Sequence, residues 1–244
     1  MSGGSPARGD ASGGASAQSS RPGKRPADRV VIVWDAPVRL CHWLIAVLVA
    51  AAYATWRLNW MDWHGWIGSL LLALLIFRLL WGFFGSDTAR FSRFIASPRI
   101  AWRHLAHILR DRGPDRQIGH NPAGGWMVLL LFALLLGETL TGVYVDNDIV
   151  NDGPLSGVTP APVANAIEAL HAIIWDVLLA AIILHVAAIA GYAVVKRHNL
   201  LLPMITGRKA LPVGRPPPRL AGLARAGVLL AASGIAAAAL IKYL

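Results

Sequence analysis

The sequence predicts an all-α integral membrane protein, a four-helix bundle with a fifth transmembrane helix of marginal length. Three observations predict it. The 244 residues are 55% hydrophobic and only 15% charged, whereas a soluble domain is about 45–50% apolar and about 25% charged. Apolar runs of membrane-spanning length recur along the chain. Basic residues collect on alternate sides of those runs. The same composition excludes disorder over most of the chain. One cysteine, Cys41, excludes an internal disulfide framework, a Cys-ligated zinc site and an iron–sulfur cluster.

Residues 1–29 are rich in Gly, Ser, Ala, Pro and basic residues and hold no apolar run. They read as a disordered basic tail, not a signal peptide. The runs then follow in order. Leu40 to Trp56 carries no charge, Gly65 to Gly85 only Arg78, Ile118 to Val145 only Glu138, and Ala169 to Val195 only Asp176. A span needs about 20 apolar residues, with a range of about 17–25, and all four qualify. The last run, Ala226 to Ile241, lies between Arg225 and Lys242 and is short unless Gly222 and Leu223 extend it. The expected division is therefore tail 1–29, transmembrane bundle 30–210, and Pro-rich linker with the fifth helix 211–244.

Between the second and third runs, SPRIAWRHLAHILRDR has Ser97 and Pro98 to start a helix. Ile100, Leu105, Ile108 and Leu109 share an apolar face, with Trp102 at its edge. Such a helix lies on a membrane surface. Trp34, Trp56, Trp60, Trp63, Trp66 and Trp126 fall near run ends, where amphipathic rings prefer to sit.

The formal charge of +10 would suit nucleic acid or an anionic membrane surface, and its distribution decides. Of the 23 Lys and Arg residues, all but Arg57, Arg78 and Lys242 lie in the N-terminal flank, between runs two and three, or between runs four and five. The positive-inside rule then places the N-terminus in the cytoplasm and makes the charge a topology signal, not a nucleic-acid footprint. Between runs three and four there is no Lys or Arg, but there are Asp146, Asp148, Asp152 and Glu168. That acidic loop is expected to face outward.

Four of the eight histidines lie at or inside span ends: His42, His64, His171 and His185. His171 and His185, fourteen residues apart, fall within about 40° of one helix face with a rise of about 21 Å. With alternating spans, His42 and His185 lie near the inner side, and His64 and His171 near the outer side. Two imidazoles at one depth fill the two axial positions of a haem iron, which favours electron transfer over oxygen chemistry. The haem would be non-covalent, since no Cys-x-x-Cys-His is present. Zinc would want four ligands at one level.

Arg78, fourteen residues after His64, comes to the inner level. It either pairs with a haem propionate or snorkels to the interface. Arg39, three residues before His42, is a second propionate candidate. Glu138 is either a proton or quinone contact or a bond to a neighbouring helix. Gly124, Gly125, Gly137 and Gly142 leave room either for a flat macrocycle or for close helix packing. His120 and Asn121 are expected to start the third helix before Pro122. His104, His107 and His198 are expected to be interfacial.

These residues resemble a family. VWDAPVRLCHW, WHGWIGSLLLALLIFRLLWGFFG, GHNPAGGWMVLLLFALLLGETLTGVY and HAIIWDVLLAAIILHVAAIAGYAVVKRHNLLLPMITGRK are similar, in order and spacing, to the four helices of the bacterial di-haem cytochrome b family, which includes the b-type cytochrome subunit of nickel–iron hydrogenase. The likeness covers roughly residues 33–209. The resemblance implies an inner-membrane four-helix bundle with two haems b, whose axial histidines fall on His42, His64, His171 and His185. It also implies electron transfer in a respiratory chain between the quinone pool and a periplasmic partner, a cytochrome c or an oxidoreductase subunit. Nothing is implied for the tail or the fifth helix. Two competing readings remain. One is a proton-conducting or transport protein using His42, Glu138, His171, Asp176 and His185 as a relay, although no inverted repeat is visible. The other is a cofactor-free anchor recruiting partners through the tail.

Overall fold

A computed structural model describes residues 1, 3, 29–107, 118–145, 160–211 and 216–243. The expected tail, apart from Met1, Gly3 and Arg29, lies outside the described residues. So do Asp146, Asp148 and Asp152, and the part of the amphipathic segment beyond His107.

A short strand, β1 (Arg29–Ile32), precedes α1 (Ala36–Arg57). Asp35 caps α1, its Oδ1 accepting from the Val38 N–H at 2.8 Å, and a proline stands in the first turn. Both features favour a helix start. The turn to α2 (Met61–Phe84) is tight, with Asn59 at φ 57° and the Trp60 N–H bonded to the Thr55 carbonyl. A one-turn 3₁₀ segment (Asp87–Ala89), α3 (Phe91–Phe94) and α4 (Pro98–His107) follow. Helix α5 (Pro122–Gly142) is capped by Asn121, whose Oδ1 accepts from the Gly124 N–H at 2.7 Å. Then come α6 (Ala161–Val195), α7 (Leu201–Thr206), β2 (Arg208–Leu211) and α8 (Leu223–Tyr243).

Helices α1, α2, α5, α6 and α8 are each long and apolar enough to cross a membrane. The fifth helix reaches spanning length because Leu223, Ala224 and Arg225 join the short apolar run. Helix α6 starts well before the apolar run that announced it. Its 35 residues rise about 52 Å against a hydrocarbon core of about 30 Å.

Packing runs in a chain from α1 to α2, α2 to α5 and α5 to α6, with α8 laid along α2. The bundle end where α1 begins holds its largest buried cluster, including Val33, Trp34, Val38, Cys41, Phe77 and Trp81. Trp81 is fully buried and its Nε1 donates to Asp35 Oδ2 at 3.0 Å. At this end two strands appear that the all-helical expectation did not contain. β1 pairs antiparallel with β2, Arg29 opposite Leu211 and Ile32 opposite Arg208. The clip continues where the Val33 and Trp34 N–H groups both donate to the Gly207 carbonyl. Gly207 has φ +78°, and a Cβ there would come within 2.7 Å of the Trp34 carbonyl oxygen, so the approach needs glycine.

The linker before α8 is pinned to the turn after α2. Asp87 N–H donates to the Arg219 carbonyl, Arg219 N–H to Asp87 Oδ2, and Ala221 N–H to Ser86 Oγ. Buried Ser233 and Ala237 then bring α8 close to its neighbour, as small residues do between membrane helices.

Candidate functional site

The four span histidines come from three helices: His42 from α1, His64 from α2, His171 and His185 from α6. The structure brings His42 within electrostatic reach of His185, and His64 within reach of His171. Helix α6 packs on α5 and is not among the main packing partners of α1 or α2. Each pair therefore meets across helices that are not closely packed on one another. Beside the His64–His171 level, the rings of Tyr53 on α1 and Trp175 on α6 stack at 5.4 Å and 11°.

At the end remote from the β-clip, His64 Nδ1 lies 2.9 Å from the Ala52 carbonyl oxygen. A carbonyl can only accept, so the neutral ring carries its proton on Nδ1 and its lone pair on Nε2. His171 Nδ1 is 2.9 Å from Thr141 Oγ1, and its Nε2 is 3.2 Å from Glu138 Oε1. Glu138 thus bonds the histidine of a neighbouring helix. Its other oxygen is buried without a partner.

At the clip end, His42 Nδ1 is also buried without a partner, and the His42 ring meets Trp43 edge-on at 5.0 Å. Arg78 lies nearby. Its Nη1 reaches the Ala89 carbonyl at 3.5 Å and its guanidinium lies 5.5 Å from the Phe91 ring. Among the described residues no carboxylate forms an ion pair with it. Arg39 donates from Nη1 to the Ile205 carbonyl at 2.5 Å, which ties it to α7, while its buried Nε has no partner.

The four glycines singled out on the third span serve packing and the histidine. A Cβ on Gly125 would meet the Phe94 carbonyl oxygen at 2.7 Å, one on Gly137 would meet Ile174 at 3.3 Å, and one on Gly142 would meet His171 Cε1 at 3.2 Å. Gly124 lies against the Asn121 cap. Sequence reasoning missed Gly65 and Gly68. Both face open space, and Gly68 shares the His64 face one turn on. The available signal was that spacing from a histidine.

Sequence reasoning also misjudged His120. Asn121 alone makes the cap. The His120 ring is wedged between Trp34 and Phe94 at 4.6 and 4.7 Å, and its Nδ1 is buried without a partner. Burial first, then the positive Arg78, pushes its pKa down to about 3. In the unfolded chain the proton binds near 6.5, so stability is lost as pH falls from there toward 3. The thermal midpoint in detergent is expected to drop between pH 7 and pH 5, and His120→Phe to flatten that drop. A parallel decline in the variant would refute this assignment. His104 is not simply interfacial either, since its Nε2 lies 3.3 Å from the Tyr192 hydroxyl.

Among the described residues no three His, Cys, Asp or Glu side chains form a metal cluster. Two imidazoles at a level suit an iron that takes its other four ligands from a porphyrin. The fixed lone pair on His64, the space beside Gly68 and the unneutralised Arg78 fit such a group. Spanning helices with facing imidazoles define a class, the multi-pass membrane cytochromes that bind b-type haem and transfer electrons. The family model for prokaryotic cytochrome b561 matches residues 33–207, and the chain belongs to that family.

Relatives are distant but nearly full-length. The chain is 24% identical over 223 residues to a protein of Bradyrhizobium diazoefficiens, covering 77% of this chain and 89% of the relative. It is 25% identical to one of Rhizobium leguminosarum bv. viciae, covering 73% and 88%. It is 23% identical to one of Azotobacter vinelandii, covering 76% and 91%. Each of the three is named "Probable Ni/Fe-hydrogenase B-type cytochrome subunit".

Proposed function

We propose that the chain is a di-haem cytochrome b carrying electrons across the cytoplasmic membrane, between the quinone pool and a periplasmic redox partner in a respiratory chain. The observation that supports it most is the pairing of His42 with His185 and of His64 with His171 near opposite ends of the bundle. Haem iron held by two imidazoles exchanges one electron with little change of ligation.

The chain's residues supply the rest. His64 and His171 offer Nε2 at one level, and His42 and His185 hold the other. The Ala52 carbonyl fixes the His64 ring, as partners of metal-bound histidines commonly do. Arg78 would balance a propionate at the clip end, and Arg39 is a second candidate for that role. Tyr53 and Trp175 stack across α1 and α6 and tie the two helices together beside the His64–His171 level.

Arg90, Arg93, Arg99 and Arg103 follow α2, and Lys196 and Arg197 follow α6, where those spans run out toward the clip, which supports a cytoplasmic N-terminus. The partner binds at the other end, through the acidic stretch before α6. The relatives' names favour a hydrogenase-like oxidoreductase subunit over a soluble cytochrome c. Residues 30–210 form the haem-binding unit, with 1–29 as a basic tail and 211–244 as an added span.

A reduced-minus-oxidised spectrum of purified protein, with a pyridine haemochrome count, tests this. Two haems b per chain are expected, and a colourless preparation from haem-replete cells rejects the proposal. Arg78→Gln removes a positive charge that favours the reduced iron. One midpoint potential is therefore expected to fall in a redox titration, and an unchanged curve separates Arg78 from the propionate.

A further inference from the structure

The geometry points to Thr141 as the residue that positions His171 as a haem ligand. This rests on the proposed axial role of His171. An imidazole that gives Nε2 to iron must carry its proton on Nδ1, and a buried N–H left unpaired is costly. Thr141 Oγ1, 2.9 Å from His171 Nδ1, is within reach of that proton.

The hydroxyl is set up to accept. Thr141 Oγ1 lies 2.8 Å from the Gly137 carbonyl oxygen and 3.1 Å from that of Glu138. Its single hydrogen goes to one of these carbonyls, as buried helical threonines arrange it. The oxygen's lone pairs then face the imidazole N–H. The next residue, Gly142, completes the seat. A Cβ there would stand 3.2 Å from His171 Cε1, so the missing side chain lets the ring lie against α5. Glu138 Oε1, 3.2 Å from Nε2 in this structure, would have to yield that nitrogen to iron. With Nε2 given to iron, Thr141 Oγ1 would accept from the proton that then stands on Nδ1.

The arrangement parallels His64, whose Nδ1 is held by the Ala52 backbone carbonyl. A side-chain substitution cannot remove that carbonyl. Thr141 is thus the point where the orientation and basicity of this ligand pair can be changed by mutation. An acceptor on Nδ1 makes the imidazole a stronger electron donor and stabilises ferric iron, so its removal raises the potential of that haem alone.

The test compares Thr141→Val, Thr141→Ser and His171→Ala in the full-length, haem-loaded protein. Redox titration and low-temperature EPR of the ferric protein serve as readouts. Thr141→Val keeps the shape and removes the acceptor. The expected result is an upward shift of one midpoint and a changed low-spin g value for the haem that His171→Ala removes, both restored by Thr141→Ser. Loss of that haem in Thr141→Val with retention in Thr141→Ser supports the same role. Unshifted midpoints in Thr141→Val, or equal loss of haem in both Thr141 variants, overturn it. If His171→Ala keeps both haems, the ligand assignment itself has failed, which is distinguishable from a failure at Thr141.

Discussion

His42→Ala and His185→Ala are each expected to lose the same haem, leaving about half the haem per chain. His64→Ala and His171→Ala are expected to lose the other. Haem has no covalent tether here, so its retention depends on both axial bonds. Within a pair the losses do not add. The His42→Ala, His185→Ala double variant should match either single one, whereas His42→Ala with His64→Ala should be colourless. Pyridine haemochrome counts and redox titrations of the six proteins decide it. If His42→Ala and His64→Ala depleted the same component, the assignment of levels would be wrong.

Asp35→Ala is expected to be the most destabilising single change outside the histidines. Asp35 is only 5% exposed. One oxygen caps α1 and the other accepts from the fully buried Trp81 indole. Losing the cap costs about 1 kcal/mol, and an unpaired buried N–H about 1–3 kcal/mol, so about 2–4 kcal/mol together. Asp35→Asn keeps an acceptor oxygen and should cost about half as much. Because Asp35 sets where α1 begins, two turns before His42, the alanine variant should also lose occupancy at the clip-end pair first. Thermal unfolding in detergent followed by haem absorbance reports both effects. A midpoint equal to that of the parent chain would show that Asp35 is dispensable.

The spans were legible because hydrocarbon burial demands long apolar runs, whatever those runs later pack against. Caps were legible where chemistry is local: Asp35 before a proline-bearing first turn, and Asn121 before Pro122. The β1–β2 clip was not, because its strands are four residues each and lie almost 180 positions apart. Neither alternates enough to announce a sheet. The start of α6 was missed because Ala161 to Glu168 mixes polar and apolar residues, and hydropathy stops where the membrane stops while the helix continues. At the site, periodicity placed four histidines at two levels, but it was silent on what each ring nitrogen touches.

By itself the sequence showed which runs are long and apolar enough to cross a membrane, where positive charge collects, and which histidines are expected to share a depth. All three follow from rise per residue and from the cost of burying charge, which are properties of single helices. Only the tertiary structure decided that α6 packs mainly on α5 and touches α1 through the Tyr53–Trp175 stack. It alone placed Thr141 and Glu138 on the two nitrogens of His171, wedged His120 between Trp34 and Phe94, and laid α8 along α2. Those outcomes depend on the rotation and separation of helices about one another. That geometry is set by side chains meeting across helix interfaces, not by the order of residues along any one helix.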